Sequence, residues 1–273
     1  MLERRALERE LEQLWLHENG AADEVRDLVA GGRKDVAAFL AEARRAAGKS
    51  LIILGENHSA ETRSVDLVLG LLADRHVLYV ASEYFLNAGE FRREIQDFLA
   101  GRRNKFGGLL CPYEPLFREL RARPRYVLFV GSRRDDGRDL QLAKHFIEEH
   151  ADRKHLKKTS LGVLVLGDHH ASRGAGTART RIEAAGFTTI GARVFTDDIA
   201  RDTHERCDRV FPVGGSADPI LLVDALPADV PAVAIRTRGT VFARLDEGTP
   251  GPIADRYELV VIARSIPRPC PRS

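Results

Sequence analysis

Nine histidines serve 273 residues, and three of them, His58, His169 and His170, sit in two short polar turns. The first turn, Gly55-Glu56-Asn57-His58, follows the apolar run LIIL at 51–54. The second, Gly167-Asp168-His169-His170, follows LGVLVL at 161–166. A third polar step, Ser82-Glu83-Tyr84, follows VLYVA at 77–81, and a fourth, Gly131-Ser132-Arg133-Arg134-Asp135-Asp136, follows YVLFV at 126–130. Carboxylates and imidazoles gathered in this way have few chemical uses. Glu56, His58, Glu83, Asp168, His169 and His170 are the right donors for a divalent ion such as Mn, Fe, Co or Zn, because ionised carboxylate oxygen and neutral imidazole nitrogen suit those metals. Without a metal, an imidazole held by a carboxylate takes a proton from water. Imidazole also ligates haem iron, which makes haem the alternative cofactor. Taken singly, Glu56 or His58 reads as a turn or cap residue, and Glu83 as an ion-pair partner. Their recurrence after successive apolar runs is what points to a site.

The elements that must position these turns are legible as a change of period. Between the apolar runs lie amphipathic stretches at 61–73, 90–100, 115–122, 138–150 and 178–185. In the first of these, Val65, Leu69 and Leu72 share a face. A fifth strand is expected at 187–194, and later ones at 232–236 and 258–263. Strands alternating with helices predict an α/β fold, a mainly parallel sheet flanked by helices, with an N-terminal helical cap and helical insertions. Ligands of such sheets bind at the carboxyl ends of the strands, where all four polar turns fall. Residues 1–48 read as a helical segment packed on the core, with leucines at 2, 7, 11 and 14 and with helices at 22–30 and 35–47 closed by glycines. Residues 49–265 then form the α/β domain and 266–273 a disordered tail. A helix is expected at 198–207, and loops at 211–215 and 247–252.

Composition excludes several classes. With 44% hydrophobic residues and a net charge of +2, the chain is not disordered as a whole. No apolar run approaches the roughly 20 residues of a membrane-spanning helix. The 42 basic and 40 acidic residues are interleaved, so nucleic acid is not an expected partner. The expected partner is a small-molecule or peptide substrate, and oligomeric state is left open. Three scattered cysteines without a CxxC pair argue against a disulfide framework or a zinc ribbon. The opening MLERRALERELEQLW lacks the apolar stretch of a secretory signal, so a cytoplasmic location is expected. A nucleophile elbow, a P-loop and a strand-linked GxGxxG are all missing. His145, His150 and His155 are expected on a solvated helix face.

Four motifs in order resemble one superfamily, which joins erythromycin esterases, ChaN-type haem-binding proteins and TIKI-type proteases. Gly55-Glu56-Asn57-His58 fits its first-strand turn, and Glu83 its second-strand glutamate. Arg138-Asp139-Leu140-Gln141-Leu142-Ala143 fits its Arg-Asp helix start, with Leu142 where methionine is usual. Gly167-Asp168-His169-His170-Ala171 fits its later histidine turn, and His170, which precedes Ala171, is the better match. The resemblance covers about residues 50–195. It implies a catalytic cleft of Glu56, His58, Glu83, Arg138 and one of the two histidines, His170 as the better match with His169 open; Arg138, Tyr84 and Arg173 are expected to face substrate. The expected chemistry is cleavage of an ester or amide bond, with His58, oriented by Glu56 or Glu83, activating water directly or binding a divalent metal that does so, His170 as a second base or ligand, and Arg138 on a carboxylate or developing oxyanion. Haem binding, or a non-hydrolytic tailoring step in secondary metabolism, is the alternative.

Overall fold

The computed structural model describes residues 22–56, 63–106, 108–132, 137–196, 225–243 and 252–264. The expected helix near the N-terminus, His58, residues 133–136, the helix at 198–207, the loop at 211–215, most of the loop at 247–252 and the tail lie outside these residues. The helices in order are α1 (Ala22–Ala30), α2 (Val36–Ala46), α3 (Arg63–Leu72), α4 (Gly89–Leu99), α5 (Glu114–Ala122), α6 (Arg138–Ala151), α7 (Asp168–Ala171), α8 (Ala178–Ala184) and α9 (Ile253–Arg256). The strands are β1 (Leu51–Glu56), β2 (Val77–Leu86), β3 (Tyr126–Gly131), β4 (Leu161–Gly167), β5 (Thr189–Thr196), β6 (Ala232–Arg236) and β7 (Leu259–Ala263).

The strands form one sheet in the order β3-β2-β4-β1-β5-β7-β6. All neighbours are parallel except β6, which runs antiparallel to β7 at the edge. The result is an α/β fold with a mainly parallel sheet. The near-continuous apolar runs follow from this architecture, because β1 and β5 are buried along their whole length by layers on both faces. One layer sets α6, α7 and α8 on the sheet, with Leu142, Phe146, Ala171 and Ile182 packed beneath. The other sets α2, α3, α4 and α5, with Leu40, Val68, Phe98 and Phe117. The helices at 22–46 belong to these layers: Val25 and Val29 join the first, Phe39 and Leu40 the second. The edge of β6 is closed by a two-hydrogen-bond bridge between Arg33 and Ala234.

Three expectations need correction. Strand β2 runs on through Ser82, Glu83 and Tyr84 to Leu86, so these residues lie within the strand, beside a register shift between Ser82 and Leu86. His150 is not solvated: it is buried edge-on against Tyr79 and Phe187. It lies on the α6 face that also carries Leu142 and Phe146, one helical period away. His155 is exposed, as expected. Cys111, in the short 3-10 turn Gly108–Tyr113, is disulfide-bonded, although the scattered cysteines argued against a disulfide framework. Among the described residues, no helix is long and apolar enough to cross a membrane.

Candidate functional site

Topology brings the polar turns together. β4 lies between β1 and β2. The connection after β1 runs through α3 on one face, while the connection after β4 runs through α7 and α8 on the other. Neighbouring parallel strands whose connections diverge leave a crevice at their carboxyl ends. Glu56 ends β1, Gly167 ends β4, and the two are paired in register. Glu83 projects from β2 on the other side of β4.

The side chains then divide between the faces. Glu56 is fully buried and accepts a hydrogen bond from Ser64 Oγ, which directs it to the α3 layer. Glu83 is almost fully buried and faces the α6 layer, where Arg138 Nη2 stands 4.0 Å from its Oε1. Arg138 is the first residue of α6, placed after Gly137, whose φ of +67° is open to glycine. Next to it, Asp139 turns toward the β4 turn. Its Oδ1 accepts from His170 Nδ1 at 2.9 Å and from the Ala178 backbone N–H at 2.6 Å. A carboxylate only accepts, so His170 presents Nδ1–H to Asp139 and keeps Nε2 as its acceptor nitrogen. His170 is mostly buried; His169 is 65% exposed, with Nε2 3.9 Å from Asp139 Oδ2. This orientation selects His170 as the inward histidine.

The four-residue helix that carries these histidines is pinned from several sides. Tyr257 OH donates to the Asp168 carbonyl. Ser172 Oγ donates to the His169 carbonyl at 2.8 Å. Arg193 Nη2, from β5, lies 3.3 Å from Asp168 Oδ2. Gly55 is required here, because a Cβ at that position would stand 2.6 Å from Tyr257 OH and 3.0 Å from the Ala171 Cβ.

Other sequence-predicted residues play different parts. Asp168 holds a cation, Arg193, where a metal-facing carboxylate was expected. Arg173 was expected to face substrate, yet it is bound into an ion-pair network with Glu183 and Glu258, which also hold the fully buried Arg179. The hydrogen bonds from Thr189 and the nearby Arg179 and Arg173 keep the Glu183 carboxyl below its ordinary value despite opposing desolvation. Tyr84 packs on Tyr113, 5.3 Å between ring centroids, in the layer away from Arg138. Among the described residues, no group of three or more His, Cys, Asp or Glu is arranged to hold a metal ion. The donor set itself explains this: Glu56 is bonded to Ser64, Asp168 to Arg193 and His170 Nδ1 to Asp139. His58, which would complete such a set, lies outside the described residues.

Sequence reasoning missed Asp139 and Arg193 as site residues. Asp139 was present in the Arg-Asp motif. Arg193 carried a signal of its own, a lone charge inside an apolar strand, which must find a partner.

No protein-family model and no curated protein matches the chain. Two solved structures, described as "Crystal structure of bacterial protein toxins" and "Bacterial protein toxins", are similar to it over 66% of its length at 16% identity, each with a TM-score of 0.39. The chain spans 41% of the length of each of those chains.

Proposed function

We propose that the carboxyl edge of β1, β2 and β4 is a hydrolytic site, in which His170 activates water for attack on an ester or amide carbonyl. The observation that carries this reading is the 2.9 Å hydrogen bond from His170 Nδ1 to Asp139. A carboxylate at Nδ1 fixes the tautomer, holds the ring in one orientation and stabilises the imidazolium that forms when Nε2 takes the water proton. The proton then passes from Nε2 to the departing alkoxide or amine, and the acyl group leaves as the acid. Arg138 stands beside Asp139 with its side chain 31% exposed. Its guanidinium would stabilise the oxyanion or hold a substrate carboxylate. Glu83 orients that guanidinium. Glu56 ends β1 across the crevice, and any divalent ion would depend on that end of the strand. Within the superfamily that the chain resembles, the esterase and TIKI branches use this chemistry class, while the ChaN branch binds haem.

The test is hydrolysis of a panel of p-nitrophenyl esters and peptide anilides by the full chain, with His170→Ala and Asp139→Asn alongside. We expect turnover in the wild type and a loss of about 100-fold or more in His170→Ala, the scale of general-base catalysis. Wild-type rates in a folded His170→Ala protein would refute the assignment. Metal analysis of the same preparations separates direct water activation from a metal-assisted step.

A further inference from the structure

A second concavity lies at the opposite edge of the sheet, where the last turns of α2 and α3 meet Leu161, the first residue of β4. We propose that it binds a carboxylate carried on an aliphatic body, with Arg44 holding the carboxylate. The cavity measures about 870 Å³. That falls within the roughly 300–1,000 Å³ of sites that enclose a small ligand. Val36, Ala37, Ala41, Leu71, Ala73 and Leu161 supply its apolar wall, and Arg44, Arg45, Asp35, Asp74 and His76 its polar part. Small side chains create the space. The helices α2 and α3 touch where a Cβ on Gly70 would stand 2.8 Å from the Ala37 Cβ. Past that contact the wall carries Ala41 and Ala73, which are too short to fill the gap.

Arg44 gives the cavity its chemistry. It is only 7% exposed. Among the described residues no carboxylate forms an ion pair with it, and its hydrogen bond runs from Nη1 to the Lys49 carbonyl at 3.3 Å. Nε and Nη2, the two nitrogens of one guanidinium edge, donate to none of the described residues. The fully buried Arg179 is held instead by Glu183 and Glu258. A shielded cation without a close counter-charge is costly. Burial accordingly draws the Arg44 guanidinium below its ordinary value, an effect that Asp74 only partly offsets and Arg45 reinforces. The carboxylates of the wall are engaged elsewhere. Asp35 accepts two hydrogen bonds from Arg33, at 2.8 and 2.7 Å, and Asp74 accepts the His76 backbone N–H at 2.9 Å. A carboxylate from outside would supply the missing charge, and its two oxygens fit the Nε–Nη2 edge as a bidentate pair. Its hydrocarbon body would then cover the apolar wall. The site does not depend on hydrolysis at the other edge, and its test reads binding alone.

The experiment is a 15N NMR titration of the full chain with three probes at up to millimolar concentration: octanoate, n-octanol and octylammonium. Octanoate should shift the backbone amides of Ala41, Arg44 and Ala73 to saturation and bind about tenfold or more tighter than the other two. Arg44→Met keeps an apolar stem but removes the fork, so it should weaken octanoate about tenfold and leave n-octanol unchanged. Ala38→Phe, at an exposed position of α2 on the cavity wall, leaves Arg44 in place and should block octanoate by filling the space. Thermal melting shows which variants fold. Absence of a saturable octanoate shift overturns the proposal. So does equal binding of octanoate and n-octanol, a shift confined to residues away from α2 and α3, or undiminished octanoate binding in a folded Arg44→Met or Ala38→Phe protein.

Discussion

Replacing Asp139 by alanine removes one carboxylate from two hydrogen bonds at once. Its Oδ1 accepts from His170 Nδ1 at 2.9 Å and from the Ala178 N–H, at the first residue of α8, at 2.6 Å. Loss of an acceptor at a helix N-terminus costs about 0.5–2 kcal/mol. Loss of a hydrogen bond to a charged group costs about 1.5–3 kcal/mol where the partner is shielded. Asp139 is 22% exposed and His170 14%, so solvent replaces only part of what is lost. We therefore expect Asp139→Ala to destabilise the protein by about 2–4 kcal/mol, and the melting temperature of a chain of this size to fall by roughly 5–15 °C. His170→Ala removes one leg only and should cost less. The double variant should then fall short of the sum of the two single effects by about 0.5–3 kcal/mol, the range for residues in direct contact. Urea unfolding of the four proteins gives the cycle, and 15N NMR of the imidazoles reports whether His170 moves from the Nδ1–H to the Nε2–H tautomer. An Asp139→Ala protein within about 0.5 kcal/mol of wild type, or a cycle that closes to zero, would refute the dyad and with it the orientation of the proposed base.

Three further outcomes follow from the packing. Arg179→Met should cost about 3–5 kcal/mol in chemical denaturation, because it leaves Glu183 and Glu258 in a largely buried network with Arg173 as their remaining cation; a change under 1 kcal/mol would show the network to be solvated. Gly162→Ala would place a Cβ 2.1 Å from the Tyr79 ring and should destabilise by about 1–3 kcal/mol, with partial recovery in a Tyr79→Leu background; no recovery would mean that the clash lies elsewhere. Burial, helped by the charge of Lys158, holds the His150 pKa below its ordinary 6.5. The unfolded chain gains a proton there as pH falls through about 6.5, while the native protein does not. This residue's contribution to stability is thus complete above that pH and lost progressively below it, toward the lower native value. His150→Phe should flatten the decline of unfolding free energy between neutral and mildly acid pH, and parallel curves for the two proteins would exclude His150 as its source.

Much of the fold was legible because a buried parallel strand needs apolar residues on both faces. The runs at 51–54, 126–130 and 161–166 advertise this directly. The end of β2 was not legible. Ser82, Glu83 and Tyr84 read as a turn, since nothing in a single sequence says that Arg138, more than fifty residues on, will meet a buried glutamate. The helix at 138–150 was visible, yet His150 was misplaced on its wet side. Spacing from Leu142 and Phe146 already put it on the apolar face, and residue type was given too much weight over period. In the site, the sequence identified the strand ends but not the faces. Glu56 and Glu83 both end up buried near the carboxyl edge, one bonded into the α3 layer and the other facing α6. Partition of that kind depends on alternation within strands whose exact ends are set by tertiary pairing.

The glycines and small residues of the motifs have a reason that does not involve chemistry. A helix of four residues, such as Asp168–Ala171, cannot hold itself together, because it closes hardly any of its own hydrogen bonds. Its geometry has to come from outside. Gly55 lets Tyr257 reach the Asp168 carbonyl, Ala171 packs against the same gap, Arg193 anchors the Asp168 carboxylate and Asp139 takes the His170 ring. Four separate elements thus converge on the turn within two residues of the proposed base. A general base must be held to a fraction of an ångström, and rigid strands and helices achieve this better than a free loop. Gly55→Ala offers a direct check of this reasoning. It touches neither His170 nor Asp139, but its Cβ would displace the Tyr257 hydroxyl, so it should loosen the histidine turn and reduce turnover through kcat more than through KM. Unchanged kinetics with an unchanged His170 NMR signal would show that the turn is held by Asp139 and Arg193 alone.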